Sequence, residues 1–435
     1  MPDTKDAFDA VLALEGRDVP AAEWRAAVRA FAVAHDVQPP VRIAEIHGEP
    51  AKRRLLAILI GKVGDGVAMA DEGCVTAALG ALRIVAREQA CDDELRGATF
   101  VLAVGRLAGL SDTGPPNGEW DELSASASWL LVNLLVIGGH AAATPLCTDL
   151  GAEVRIEQAV AKPAESTLLQ TLLYANIAFH LSLQAVPRPR GALPGGGVEA
   201  LSATLRWAID EINAALDAFS GRLDGDRPSQ MLKLVGDVVR TLFNVVRQTS
   251  TTAEQNTRLL SCVKQLLSCD GDSPELREAK LTSLQLSMVM PKEVAFAALA
   301  ELWPRLTGLL LPLLQGVEAK KIEPERPVLL CVVLQHIAEH DASIAQQMRA
   351  AVFTKGKDPT EDPLGANPNR ELPDDAPLED HLKKLHCSSN YVLCAPRLHT
   401  PSPPRGARPA HTPGGMNACA QQARGGRARV RHVRI

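Results

Sequence analysis

Six polar residues stand out because of the company they keep. Arg83 and Arg87 lie one helical turn apart on one face of an apolar stretch, and two guanidiniums placed so make a pocket suited to a carboxylate. Asn133, Asn176 and Asn244 each interrupt a further Leu-rich stretch near its centre, and Ser287 takes the same place in a fifth. An Asn side chain both donates and accepts, so a row of them can satisfy polar groups of a bound segment; each can equally cap a neighbouring turn. The chemistry on offer is recognition. No GxSxG, HExxH or DxD-type cluster occurs, and His336 with His340 at i, i+4 has no third ligand nearby. GKVGDG at 61–66 lacks the phosphate-cradling GxxxxGK[ST] pattern and reads as a turn between helices, and PGGG at 194–197 reads as a loop. The expectation is a protein with no catalytic residues, no metal and no cofactor.

These residues need rigid supports. The five stretches read ALGALRIVARE at 78–88, SWLLVNLLVIGG at 128–139, LLQTLLYANIAFHL at 168–181, DVVRTLFNVVRQ at 237–248 and KLTSLQLSMV at 280–289. Helices this apolar must be buried on nearly every side, which makes a central polar residue costly unless it is used. The marked positions are separated by fifty, forty-three, sixty-eight and forty-three residues. A period near ~40–47 is that of armadillo and HEAT units, and the long interval contains the insertion VPRPRGALPGGG at 186–197. Further helical spacing appears at 6–15, 22–34, 51–61 and 72–88, with breaks at EGRDVP, HDVQPP, 111–118, 221–229 and 269–275. A helix pair is expected over 326–353, then an acidic, Pro-rich loop at 357–378 and a helix start at APLEDHLKKLH.

The spacing therefore predicts an all-α, armadillo/HEAT-like right-handed superhelical solenoid over residues 1–388, with the marked residues facing a concave groove. Residues 389–435 carry Pro, Gly and Arg without apolar periodicity and are expected to form a disordered tail. Two readings of that tail stay open: a segment for RNA or anionic membranes, and a gene-model artefact such as intron read-through. From Ser388 onward the chain has eight arginines and no Asp or Glu, so with −5 overall the preceding residues carry −13. An acidic body disfavours nucleic acid as its partner. Acidic residues in the first sixteen positions exclude a signal-peptide core, and the longest apolar runs fall short of the ~20 residues a membrane span needs. Nine scattered cysteines without a CxxC pair read as buried thiols. A cytoplasmic monomer, extending to the cell cortex, is the expectation.

Taken in order, these motifs resemble the synembryn family, exchange factors and folding chaperones for the α subunits of heterotrimeric G proteins. ALRIVARE followed by TFVLAVGRLAGL, then SWLLVNLLVIGGHAAATPL, VVRTLFNVVRQTS, LLCVVLQHIAEHDASIAQQMRAAVFTKGKDP and DAPLEDHLKKLHCSS carry the resemblance over roughly residues 5–388. Each motif is degenerate, and the specificity lies in their order. The resemblance implies that the concave face holds the C-terminal helix of a Gα subunit, drawn away from the nucleotide-binding core so that GDP leaves. It also implies that Arg83 and Arg87 meet the partner's terminal carboxylate and polar edge, while Asn133 and Asn244 hold amides of the same helix. Two departures mark this chain. Ser287 stands where related sequences tend to carry Asn, and the basic tail replaces further helices and an acidic C-terminal region that also contacts Gα. The alternative is an armadillo adaptor for an extended peptide, which expects a Trp beside each groove Asn; only Trp129 near Asn133 meets that expectation.

Overall fold

The computed structural model describes residues 4–352 apart from 38–41, 67–70, 88–92, 116–118, 185–195, 219–222, 224, 272 and 319–324. The chain divides into two units, Met1–Pro396 and Arg397–Ile435, and the second lies outside the described residues. So do the loop expected at 357–378, the helix start after it and nearly all of the insertion at 186–197.

Within the described residues the structure is helical, with no strand. The first helices are α1 (Thr4–Leu12), α2 (Ala21–His35), α3 (Ile43–His47), α4 (Glu49–Gly66), α5 (Glu72–Val85), α6 (Asp93–Arg96) and α7 (Ala98–Leu107). Next come α8 (Glu122–Gly138), α9 (His140–Thr148), α10 (Ala152–Ala161), α11 (Leu168–Ser182), α12 (Gly196–Ala218) and α13 (Asp226–Gln248). The last are α14 (Ala253–Ser268), α15 (Pro274–Ser287), α16 (Lys292–Leu299), α17 (Trp303–Glu318), α18 (Glu325–His340) and α19 (Ala342–Val352).

Local chemistry sets the helix starts. Asp71, Asp121, Thr167 and Ser273 each accept a hydrogen bond from the backbone N–H three residues on, and Thr252 with Gln255 forms a reciprocal capping box. One expected turn is absent: GKVGDG continues α4 to Gly66. Leu55, Leu56, Leu59 and Val63 are fully buried, and their helical spacing carries the helix across Gly61 and Gly64. Two glycines cost about 1 kcal/mol each in a helix, less than burial of these side chains returns.

The helices pack as two series. One runs α2, α5, α8, α11, α13, α15 and α18, each against its predecessor; the other runs α1, α4, α7, α9, α10, α12, α14, α17 and α19. Contacts between α1 and α2, α4 and α5, α7 and α8, α10 and α11, α12 and α13, α14 and α15, and α17 and α18 join the series. The core includes Leu79, Leu82, Leu131, Leu173, Ile177, Val235, Val238, Leu242 and Leu284, all essentially without exposure. Cys74, Cys147, Cys262 and Cys269 are free and buried, and burial pushes the Cys269 thiol up to about 11, which keeps it protonated and unreactive. One stretch, Lys292–Gly316, is long and apolar enough to cross a membrane by length and composition. In the fold it is divided into α16, the 3-10 turn Ala300–Leu302 and α17, which contact α14, α18 and α19.

A histidine pair adds a pH dependence. His35 donates through Nδ1 to the Phe31 carbonyl at 2.9 Å, its Nε2 lies 3.4 Å from Nε2 of His47, and the His47 ring stacks on Phe8 at 3.8 Å. Burial lowers both pKa values from 6.5, and burial lowers that of His180 in α11 too. The unfolded chain thus takes up these protons at higher pH than the folded one. Stability holds above the ordinary histidine range and falls as pH drops from 6.5 toward the folded values. Urea midpoints should fall between pH 7.5 and pH 5.5, and His47→Gln should flatten the slope.

Candidate binding surface

The five stretches singled out in the sequence become α5, α8, α11, α13 and α15, consecutive members of one helix series. Arg83, Asn133, Asn176, Asn244 and Ser287 thus fall one to a helix, with Arg87 just beyond the end of α5. Their hydrogen bonds give the register. Asn133 of α8 donates through Nδ2 to the Arg83 carbonyl in the last turn of α5 at 3.1 Å. Asn244 of α13 donates to Ser182 Oγ at the end of α11 at 3.0 Å, and Ser182 passes a hydrogen bond to the Phe179 carbonyl at 2.7 Å. Gln248, one turn past Asn244, donates to the Ser182 carbonyl at 3.0 Å. In both places the C-terminal part of one helix meets the C-terminal end of the previous one, and since Asn176 bonds Asp237 while Ser182, further along, accepts from Asn244, α11 and α13 run in the same direction.

These contacts fall on the carbonyl ends of the helices. The last four carbonyls of a helix lack intrahelical donors and carry its negative partial charge. Donors from neighbouring helices satisfy some of them: Asn133 for α5, Gln248 for α11, and Arg96 of α6, which donates to the Ile137 carbonyl of α8 at 2.9 Å. The second series uses the same device, with Arg305 of α17 on the Ser268 carbonyl of α14 at 2.8 Å. Capping is therefore a present role of Asn133, while Asn244 holds the end of α11 through the Ser182 hydroxyl. These bonds engage only the two NH2 groups: among the described residues the carbonyl oxygens of Asn133 and Asn244 have no hydrogen-bond partner, and both residues are partly exposed.

Asn176 differs. Its Nδ2 donates to Asp237 Oδ2 of α13 at 3.0 Å, while its own carbonyl oxygen is buried without a partner among the described residues. Asp237 is almost fully buried, with Arg240 at 3.7 Å from its other oxygen. Burial pushes the Asp237 carboxyl up, against the pull of the Asn176 hydrogen bond and of Arg240 and Lys233. Ser287 has no exposure and donates to the Leu284 carbonyl of its own helix at 2.6 Å, so its hydroxyl offers nothing to a ligand.

Arg83 and Arg87 share a carboxylate already. Asp36, immediately after α2, pairs closely with Arg87 and lies 3.8 Å from Arg83 NH2. The guanidinium-bearing side chains are 32% and 25% exposed, so the pair is reachable from solvent. Apolar side chains stand nearby in sequence on the same helix ends: Val33 of α2, Val136 of α8 and Leu183 after α11 are exposed. Trp129, one turn before Asn133, lies under the Lys233 ammonium, 5.5 Å from its ring centre, and so does not stand free as the wall of a peptide pocket.

Sequence reading missed Asp36, Ser182, Asp237 and Gln248. Asp237 and Gln248 were within sight, since they lie seven residues before and four after Asn244, on its helical face. Asp36 and Ser182 carry no such local signal. The result is a set of paired guanidiniums, spare amide carbonyls and exposed aliphatic side chains on the C-terminal parts of successive helices, chemistry suited to a segment with both apolar and hydrogen-bonding groups and a negative end. A scan against protein-family models matches none, and a search of curated proteins returns no match.

Proposed function

We propose that the helices form an armadillo/HEAT-like right-handed solenoid that binds the C-terminal helix of a G-protein α subunit, and that the chain acts thereby as a guanine nucleotide exchange factor and folding chaperone. The observation that carries the reading is the placement of the marked residues on five successive helices of one series, with Arg83 and Arg87 paired at one end. The ordered motif resemblance supplies the partner. An amphipathic helix laid along this edge meets Val136 and Leu183 with its apolar side, the spare carbonyls of Asn133 and Asn244 with its polar side, and the two arginines with its terminal carboxylate. Ser287 has no part in the contact.

Exchange follows from differential binding. A protein that holds the Gα helix only when it has left the nucleotide-binding core shifts Gα toward the open, nucleotide-releasing state by its affinity ratio for the two states. The same grip stabilises an α subunit that has not yet closed on nucleotide, which is the chaperone function.

The test is binding of a fluorescent peptide copying a Gα C-terminal helix. Arg83→Ala/Asn244→Ala should weaken it about 30-fold or more, since each side chain removes a hydrogen bond, one of them charge-assisted. Equal affinity in wild type and double mutant would remove these residues from the site. GDP release from the full α subunit, unchanged at saturating protein, would remove the exchange activity while leaving peptide binding intact.

A further inference from the structure

The Arg83/Arg87 pocket has an internal occupant, and its geometry points to a specificity-determining role for Asp36. Resting on the partner reading above, we propose that Asp36 stands in for the ligand carboxylate in the free protein and must yield the guanidiniums before a ligand carboxylate can enter.

Three observations carry this. First, Asp36 uses the pocket incompletely. Two guanidiniums offer ten N–H donors, yet the carboxylate makes one close contact with Arg87 and reaches Arg83 at 3.8 Å, too long for a hydrogen bond. Among the described residues Arg83 Nε is buried without a hydrogen-bond partner, so the pocket keeps donor capacity that its resident does not satisfy. Second, Arg83 is held in place independently of Asp36. The Arg83 carbonyl is gripped by Asn133, so the backbone that presents the side chain stays fixed when the ion pair exchanges.

Third, Asp36 cannot leave without cost. It is the C-cap residue of α2, its N–H bonded to the Ala32 carbonyl at 2.9 Å, and a carboxylate there faces the negative end of the helix dipole. Arg87 and Arg83 offset that repulsion. When a ligand takes the arginines, Asp36 is left at a helix C-terminus as an uncompensated negative charge. The pocket therefore rejects weak anions and accepts a carboxylate that is delivered with other contacts, as one at the end of a bound helix is. Asp36 is 44% exposed, so it can swing toward water on release, which keeps the barrier small.

The experiment compares wild type with Asp36→Asn against two peptides copying a Gα C-terminal helix, one ending in a free carboxylate and one in a carboxamide. Asp36→Asn should tighten the acid peptide about three- to fivefold, the scale of a partly exposed ion pair, and leave the amide unchanged. Tightening of both alike, or of neither while wild type binds, overturns the proposal. A partner-free arm uses phenylglyoxal labelling followed by mass spectrometry. Arg83 and Arg87 should label at least threefold faster in Asp36→Asn, while Arg54, paired with Glu15 on the same unit, serves as the unchanged control. Unchanged labelling overturns the occupancy whatever the peptides do. Faster labelling with no peptide bound by either protein supports the occupancy and instead overturns the Gα reading.

Discussion

Gly109→Val should destabilise the protein by about 3 kcal/mol, read as the loss in urea midpoint at constant slope. Gly109 follows α7 with φ +77, a region that costs an L residue about 1–2 kcal/mol and a β-branched one more. A Cβ there would also lie 3.0 Å from Pro115 Cγ and 3.1 Å from the Tyr174 hydroxyl. Tyr174 is the largest fully buried side chain among the described residues, and its hydroxyl donates to the Ala108 carbonyl at 2.8 Å, tying α11 to the end of α7 across sixty-six residues. Burial pushes this phenol up to about 12, so it stays a donor throughout the working pH range. A side chain at 109 forces either the backbone or that hydrogen bond to give. Tyr174→Phe separates the two effects, since it removes the bond without strain and should cost only about 1–2 kcal/mol. Equal losses for the two variants would place the whole effect in the hydrogen bond.

The contact between α11 and α13 should respond with opposite signs to two conservative substitutions. Asn176→Leu removes the donor that Asp237 relies on and leaves a carboxylate buried beside aliphatic carbon, at a cost of about 2–4 kcal/mol. Asp237→Asn keeps an acceptor for Asn176 while removing the buried charge, and should stabilise by about 1 kcal/mol at pH 7. The pH profile decides between these causes. Because burial raises the folded pKa of Asp237 above 3.8, the folded state binds this proton more tightly than the unfolded one. That contribution favours folding below 3.8 and is lost as pH rises through the folded value, so wild type and Asp237→Asn should diverge above that window and converge below it. A wild type more stable than Asp237→Asn at pH 7 would mean that the pair with Arg240 outweighs desolvation.

On the proposed function this polar pair also bears on binding. Asp237 lies on the face of α13 that carries Asn244 and is bonded to the Asn176 amide. A buried acid next to that amide favours a hydrogen-bond donor from the partner over a second carboxylate, in keeping with a ligand whose negative end lies at Arg83 and Arg87.

The helices were legible in the residues because their causes are local. Apolar spacing over three and four positions, and caps such as Asp121 before Ser124 or Thr252 before Gln255, act within a single turn. For the same reason the five polar interruptions could be picked out and placed one to a helix, and the pair expected over 326–353 corresponds to α18 and α19. The extension of α4 through GKVGDG was not legible, because its three glycines read as a break until burial of Val63 is known. What each polar residue touches belongs to the tertiary structure alone. Asn133 meets Arg83 across fifty residues, Arg87 meets Asp36 across fifty-one, Asn176 meets Asp237 across sixty-one and Asn244 meets Ser182 across sixty-two. Periodicity records which side of a helix is apolar; it holds no term for which neighbour lies against it. Ser287 shows the consequence: the same position in the pattern that leaves Asn133 and Asn244 reachable is, on α15, closed over by its neighbours.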